Sequence, residues 1–165
     1  CGKNKHPGAI GVDIRRGTAA DVIHDLSVFP YPFKDGVFDR IYCLSAIEHL
    51  PDLVGVMNEF HRIARPGARV YIQTPHYSSV YSWSDPTHHH HLSSRSFLSF
   101  TDHPKRGGVY TDRSFRIAEQ RFIFSRSLIS LIPRLLARIS PWHYEKHFAF
   151  IFPANDIYFE LEVLK

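Results

Sequence analysis

Residues 29–51 constrain the fold of this chain more than any other segment. Their sequence, FPYPFKDGVFDRIYCLSAIEHLP, indicates a turn, a strand and the approach to a helix. Pro30 and Pro32 each fix a backbone φ angle and remove an N–H donor, so the first part can be neither a helix nor a central strand. Phe38–Leu44 then predicts a short strand that is buried on both faces of a parallel sheet.

A helix and a second strand are predicted directly after this segment. Asp52 is a suitable N-cap for a helix that continues to Ile63, with apolar residues at helical spacing on the face toward the sheet. The Pro66-Gly67 pair is expected to end that helix. Arg69–Gln73 is predicted to be the next strand of the sheet.

The remaining elements are predicted on either side of this unit. Ala9–Ile14 and Asp21–Leu26 are expected to be strands that precede it. Phe115–Phe124 and Asp156–Leu164 have alternating patterns that predict two further strands. Residues 127–139 have an apolar stripe and predict a helix that Pro133 kinks.

Length and composition place the chain among ordinary globular domains. It has 165 residues, which suits one domain, and its 44% apolar content excludes an intrinsically disordered chain. The net charge of +4 is too small to separate an anionic ligand from a nucleic acid, and no basic cluster interleaved with aromatic residues supports a nucleic-acid binder. No apolar run approaches the length of a membrane span. Cys43 lies in a predicted buried strand, which favours reduced thiols and a cytoplasmic protein.

Two segments carry a family resemblance. LSAIEHLPDL, followed by EFHRIARPGARVYIQTP, resembles the middle of a class I S-adenosylmethionine-dependent methyltransferase of the type 11 group. Upstream, CGKNKHPGAIGVDI is similar to the tail of the family's glycine-rich first motif plus its second strand, and HDL is similar to the segment beside the adenine. The resemblance covers residues 1–75 well and the rest more loosely.

The resemblance implies both a fold and an activity. The fold would be an α/β Rossmann-like three-layer sandwich, with a mostly parallel sheet and an antiparallel last strand. The cofactor would be S-adenosylmethionine, and the activity would be methyl transfer to an unidentified acceptor. Residues 1–75 would form the cofactor-binding half, 76–150 a substrate cap with helices, and 151–165 the closing strand.

The resemblance also implies that one strand is missing. In the family, a first strand with an acidic end precedes the glycine loop, and that strand is normally central in the sheet. Here the sequence begins within the glycine motif at Cys1. We therefore expect the sequence to be a fragment that lacks the first strand.

Several residues are expected to bind the cofactor. Asp13 ends a predicted strand, where a carboxylate can accept hydrogen bonds from two ribose hydroxyls, although it could also be a turn or cap residue. The resemblance assigns Asp25 to the adenine amino group and Leu26 to the adenine ring, while Asp25 could equally initiate a turn. The other residues that the resemblance places at the cofactor are Cys1, Gly2, Leu44, Ser45 and Glu48.

Glu48 and His49 are adjacent and could each act as a general base. On a helix they would point about 100° apart and would not easily serve one site. In the family this position more often shapes the pocket than transfers protons. His49 is therefore interpreted first as a structural or cofactor-lining residue.

Residues 81–97, YSWSDPTHHHHLSSRSF, hold four consecutive histidines, His88–His91. Imidazoles at positions i and i+2 of a strand could share a zinc ion, but no third ligand follows at a recognisable spacing, so no metal ligand is assigned. The favoured interpretation is a substrate-facing cap. The segment resembles an Asp-Pro-Thr-His-x-His-like element of similar family members, which implies Asp85 and His88 as the candidate catalytic residues, with His90 as a further candidate. A histidine there could remove a proton from an acceptor near neutral pH.

His76 is a third catalytic candidate. It follows the carboxyl end of the strand predicted at Arg69–Gln73, which is the ligand-binding side of such sheets. The alternative is a loop histidine that packs against Tyr77.

Two other functions and one partner stay open. The chain could be a non-catalytic binding domain that uses its histidine-rich cap, or a metal-dependent hydrolase that uses His76 and His88–His91. Residues 127–139 are expected to pack on the sheet, but their basic amphipathic pattern also suits contact with a membrane surface or a lipid-like substrate.

Overall fold

The computed structural model describes residues 2–3, 5–103, 105 and 107–165. The strands alternate with helices and short turns along the chain. The strands are β1 (Val12–Asp13), β2 (Val22–Ile23), β3 (Phe38–Leu44), β4 (Ala64–Pro75), β5 (Ser114–Ile123) and β6 (Asp156–Leu164). The α-helices are α1 (Leu53–Ile63), α2 (Val80–Ser84), α3 (Leu131–Ile139) and α4 (Pro141–His147), and 3-10 turns span Ile47–His49, Leu98–Phe100 and Leu128–Ser130.

The described strands form two sheets. Four strands are arranged in the order β3-β4-β6-β5, and β1 pairs with β2 in a separate two-stranded parallel sheet. β3 and β4 are parallel, while β6 is antiparallel to both of its neighbours. In the larger sheet only β6 therefore runs against the others, which confirms the predicted α/β fold and its antiparallel last strand.

β3 has the predicted bounds but not the predicted burial. Cys43 is its one buried residue, and Asp39, Arg40 and Leu44 are exposed. The expectation of burial on both faces is wrong because, among the described residues, β3 pairs only with β4 and lies at the edge of its sheet. Cys43 itself is a free, buried thiol.

Helix α1 begins as predicted and ends earlier. The Asp52 side chain caps it by accepting the Gly55 N–H at 2.8 Å. The prediction that Pro66-Gly67 ends the helix is wrong, since α1 ends at Ile63 and β4 begins at Ala64. The pairing of β4 with β3 is irregular there, and Gly67 (φ +76°) supplies the left-handed conformation that this irregularity needs.

The first two strands are shorter than predicted. Each has two residues instead of six, because β1 and β2 pair only with each other among the described strands. The Asp21 carboxylate, just before β2, connects this strand to the residues that precede β1. It accepts hydrogen bonds from the Gly11 N–H and from the Lys5 ammonium group, both at 2.7 Å.

The C-terminal elements follow the predictions closely. β6 has the predicted bounds, and β5 is shifted by one residue. The helix predicted over 127–139 begins at Leu131, so Pro133 lies in its first turn, where the missing N–H costs no helical hydrogen bond, and the kink stays a prediction. The main core lies between α1 and the sheet, and it includes Met57, Phe60, Val70, Ile72, Phe97, Phe159 and Leu161.

A partly buried ion pair within α1 is hydrogen-bonded to the proline-rich turn. The Glu59 carboxylate accepts the Tyr31 N–H at 2.6 Å and two guanidinium N–H groups of Arg62 at 2.7 and 2.8 Å. Arg62 also donates to the carbonyl oxygens of Tyr31 and Phe33 and to Asp35. The Arg62 guanidinium keeps the pKa of Glu59 below its usual value.

We predict that Arg62→Ala lowers the free energy of unfolding by about 2 kcal/mol, because Glu59 would remain buried without its cation. Arg65→Ala is the matched control. Arg65 pairs with Asp39 while both side chains are more than half exposed, and its loss is expected to cost at most about 0.5 kcal/mol. Urea unfolding of the three proteins at pH 7 would measure both changes.

The same comparison has a pH dependence. The pKa of Glu59 is lowered, so its contribution to stability is present above the unfolded value of about 4.5 and is lost as the pH falls through the lowered value. The difference between wild type and Arg62→Ala should therefore shrink below pH 4.5. An equal loss for the two arginine variants at pH 7 would contradict the assignment.

Candidate functional site

Asp13 lies at the carboxyl end of β1 and holds the N-terminal loop there. Its Oδ1 accepts the Arg15 N–H at 2.9 Å and its Oδ2 accepts the Gly2 N–H at 2.9 Å. These two hydrogen bonds lower the pKa of Asp13, so the carboxylate is ionised at neutral pH. Two of the predicted cofactor residues, Gly2 and Asp13, are therefore in contact, while Cys1 lies outside the described residues.

The segment after β2 forms a turn. Asp25 Oδ1 accepts the Ser27 N–H at 2.9 Å, and the Asp25 carbonyl accepts the Val28 N–H at 3.0 Å. Asp25 thus initiates a turn, and its contact with the adenine stays a prediction. Leu26 packs against the main core, and its carbonyl accepts the Tyr31 hydroxyl at 3.0 Å.

The carboxyl end of β3 is open and has unusual backbone geometry. The Leu44 side chain is 54% exposed. Ser45 has φ +47°, in the left-handed region that non-glycine residues seldom adopt, and its N–H donates to the Gln73 carbonyl at 2.8 Å. Such conformations concentrate at ligand-binding turns, which suits the predicted cofactor role of these two residues.

Glu48 and His49 lie in a 3-10 turn and not in an α-helix. Glu48 is 2% exposed, and its carbonyl accepts the N–H groups of His89 at 2.8 Å and His90 at 3.2 Å. These bonds attach the histidine-rich segment to the turn. Burial, together with the nearby charge of Glu48, raises the pKa of the Cys43 thiol to about 12.

Glu48 and His49 lie closer together than their expected separation on an α-helix implied. Glu48, His49 and His88 each place one potential ligand atom within 4.8 Å of the others. The single 3-10 turn does not impose the separation of an α-helix, and the histidine-rich segment brings His88 alongside.

Hydrogen bonds define the orientation of both imidazole rings. The Thr87 hydroxyl donates to Asp85 Oδ1 at 2.7 Å, so its oxygen accepts from His49 Nδ1, which lies 2.9 Å away. His88 Nδ1 lies 3.0 Å from the Ser82 carbonyl, which can only accept. Hydrogen bonds from the Thr87 hydroxyl and N–H lower the pKa of Asp85, which acts on His49 through Thr87.

The other histidines of the run make separate contacts. His90 Nε2 donates to the Leu50 carbonyl at 2.9 Å, and His91 stacks on Trp83 with ring centroids 3.6 Å apart. The pairing of positions i and i+2 that a strand would produce does not occur, because His88–His91 do not form a strand.

Sequence reasoning missed Thr87 and the approach of His88 to Glu48. Forty positions separate Glu48 from His88, so no spacing pattern connects these two residues. The available signal was the Asp85-Pro86-Thr87 turn, in which Asp85 accepts the Thr87 N–H at 2.9 Å.

His76 is completely buried and belongs to a polar network inside the fold. Its Nε2 lies 3.1 Å from Glu145 Oε1, and its Nδ1 lies 2.7 Å from the Ser78 hydroxyl. Glu145 also accepts the Ser94 N–H and hydroxyl, both at 2.6 Å. The ring centroids of His76 and Tyr77 lie 4.3 Å apart. These contacts favour the interpretation of His76 as a packed histidine, and its catalytic role stays a prediction.

We predict that Glu145→Ala lowers the free energy of unfolding by about 3 kcal/mol, because it leaves the buried groups of Ser94 and His76 without their acceptor. The exposed neighbour provides the control, and Lys146→Ala should change stability by less than about 0.5 kcal/mol. Thermal or urea unfolding would measure both. A stable Glu145→Ala protein would remove the structural explanation for His76.

Part of this chain is similar in sequence to known methyltransferases. Residues 5–72 match the family described as a methyltransferase domain. A ubiquinone biosynthesis O-methyltransferase of Pseudomonas paraeruginosa is 32% identical over 65 residues, which are 39% of this chain and 25% of that protein. The tocopherol O-methyltransferase of Arabidopsis thaliana is 42% identical over 43 residues, 26% of this chain and 12% of that protein. The matches thus span a quarter or less of these relatives.

The fold is also found in solved structures. A SAM-dependent methyltransferase from Archaeoglobus fulgidus superposes with a TM-score of 0.63 at 18% identity, covering 93% of this chain and 75% of that one. The family match contains Asp13, Asp25 and Glu48, and the fold similarity extends over nearly the whole chain. Residues 5–72 are therefore similar to the methyltransferase domain family, and the chain shares the fold of the Archaeoglobus fulgidus enzyme.

Proposed function

We propose that this chain binds S-adenosylmethionine and transfers its methyl group to an acceptor nucleophile. The observation that carries the proposal is the family match over residues 5–72, which includes the carboxyl ends of β1, β2 and β3. Ligands of open α/β sheets bind just beyond such strand ends. Residues 1–75 would form the cofactor-binding half, 76–150 the acceptor cap and 151–165 the closing strand, and we propose a cytoplasmic location.

The residues at these strand ends fit the cofactor. Asp13 lies at the carboxyl end of β1, where its ionised carboxylate would face a ribose hydroxyl of the cofactor. Asp25 and Leu26 would contact the adenine, and the open turn at Leu44 and Ser45 would line the methionine part. When bound, S-adenosylmethionine supplies an electrophilic methyl group on a sulfonium sulfur.

The histidine-rich cap would orient the acceptor. Methyl transfer needs a nucleophile held at about 3 Å, and it needs a proton acceptor only when the nucleophile is protonated. We assign that second task to the cluster around His88, with Asp85 as a positioning residue that acts through Thr87. The matched relatives include O-methyltransferases and a sterol 24-C-methyltransferase, so their names do not define the accepting atom.

Calorimetric titration with S-adenosylhomocysteine tests cofactor binding. Wild type is expected to bind, and Asp13→Asn should weaken binding about tenfold or more, because a charged hydrogen-bond acceptor is worth about 1.5–3 kcal/mol. Asp39→Asn is the control, since Asp39 is exposed and lies near the opposite end of β3.

A second sample would carry a methyltransferase first strand and glycine loop ahead of Cys1. Binding by this sample alone would show that the cofactor pocket needs the added residues. If neither folded sample binds S-adenosylhomocysteine, the proposed function is wrong.

We further propose that α3 contacts an anionic membrane surface. The apolar face of this region is not covered by the described residues, and several of its side chains are 56–73% exposed: Ile129, Leu131, Ile132, Leu135 and Ile139. None of the helices in the described ranges combines the length and apolar character needed to cross a bilayer. An amphipathic helix that lies in the membrane interface fits both observations.

Charge favours an anionic lipid surface over a second protein. Between residues 124 and 155 the one acidic residue is Glu145, which is buried. Arg126, Arg134 and Arg138 are exposed. Two of these arginines also line a cavity of about 340 Å³ between α3 and β5, together with Arg121, where lipid phosphates could bind.

Vesicle sedimentation tests this contact. The double variant Ile132→Ser, Leu135→Ser should bind vesicles of phosphatidylserine and phosphatidylcholine at least about tenfold more weakly, because each exposed side chain that inserts contributes about 1 kcal/mol. The control variant Ile10→Ser, Val28→Ser removes two apolar side chains that are 53% and 54% exposed elsewhere. Equal effects of the two variants, or no binding by wild type, would contradict the proposal.

A further inference from the structure

We propose that Glu48, His49 and His88 form a binding site for a divalent transition-metal ion, with zinc as the best fit. Their potential ligand atoms lie within 4.8 Å of one another. Ligand atoms about 2 Å from a tetrahedral zinc ion are about 3.3 Å from one another. The distances between the potential ligand atoms would therefore have to shorten by at most about 1.5 Å, which small side-chain rotations can supply. Glu48 is buried, and both histidines are half-buried.

Glu48 provides the first argument for a cation. Its Oε2 is buried and has no hydrogen-bond partner among the described residues. A buried carboxylate oxygen without a partner is costly, by about 1–3 kcal/mol or more for a charged group. A cation at the centre of the cluster would supply the missing interaction.

The imidazole tautomers provide a second, independent argument. His49 donates its Nδ1–H to Thr87, which in turn donates to the Asp85 carboxylate. His88 donates its Nδ1–H to the Ser82 carbonyl. Metal-binding histidines characteristically donate one ring N–H to a carbonyl, or to a carboxylate system, and thereby direct the other nitrogen to the metal. In both rings Nδ1 has a hydrogen-bond partner, which leaves Nε2 as the nitrogen for coordination.

The ligand set indicates what kind of metal site this is. Two histidines and one glutamate, with a fourth position open to water or substrate, are the pattern of catalytic zinc sites and not of closed structural ones. No fourth ligand completes this group among the described residues. Glu48 and His49 lie in the 3-10 turn that follows β3, a few residues after the proposed cofactor residues Leu44 and Ser45.

A metal ion at this site would change how an acceptor hydroxyl is deprotonated in the proposed transferase. An ion held by these three residues would act as a Lewis acid and would lower the pKa of an acceptor hydroxyl beside it. His88 then contributes as a ligand and not as a free base. This consequence rests on the proposed function, whereas metal binding itself does not.

Metal binding can be measured directly on the purified chain. After treatment with a chelator and its removal, titration with zinc chloride is expected to show one tight site per chain. Glu48→Gln and His88→Ala should each weaken that site at least about a hundredfold, since each removes one of three protein ligands. His89→Ala is the control, because His89 is the exposed neighbour of His88 in the same run.

Cobalt(II) provides a second readout that does not depend on activity. Cobalt in a four-coordinate nitrogen and oxygen site gives intense visible absorption, which should appear with wild type and His89→Ala and be absent with His88→Ala. Circular dichroism would show that each variant folds. Absence of a tight zinc site in folded wild type, or its retention in both Glu48→Gln and His88→Ala, would overturn the proposal. Titration of the same samples with S-adenosylhomocysteine separates this result from failure of the proposed function.

Discussion

The parallel pairing of β3 with β4 is the interaction on which the candidate site depends. It continues one residue past β3, where the Ser45 N–H donates to the Gln73 carbonyl. That bond holds Ser45 in its left-handed conformation and directs the chain into the 3-10 turn at Ile47–His49. The positions of Glu48 and His49 therefore follow from the register of two strands.

Backbone hydrogen bonds attach the cap to this turn. The Glu48 carbonyl accepts two N–H groups from the histidine-rich segment. Satisfying one carbonyl in this way places His88 against His49, with ring centroids 4.6 Å apart. On the other side of the cap, Glu145 binds both His76 and Ser94. The cap is thus held by buried polar groups whose partners come from distant parts of the chain, and such networks define one arrangement because each unsatisfied member is costly.

Local patterns predicted the elements well and their environments less well. β3, β6 and the Asp52 cap of α1 were correct because alternation, turn residues and capping act over a few positions. The helix end at Pro66-Gly67 was wrong because an irregular strand pairing, which depends on β3, used the same residues. The burial of β3 was wrong because it depends on the neighbouring strands and not on the composition of the strand itself.

The sequence by itself determined the α/β order of elements, the resemblance to methyltransferases and the presence of carboxylates at the strand ends. The tertiary structure alone decided which titratable groups meet. It placed Glu48 beside His88 across forty positions, and it buried His76 against Glu145 across sixty-nine. The physical reason is that periodicity and capping reflect contacts within a few residues, whereas long-range polar contacts depend on how the sheet and the cap pack together.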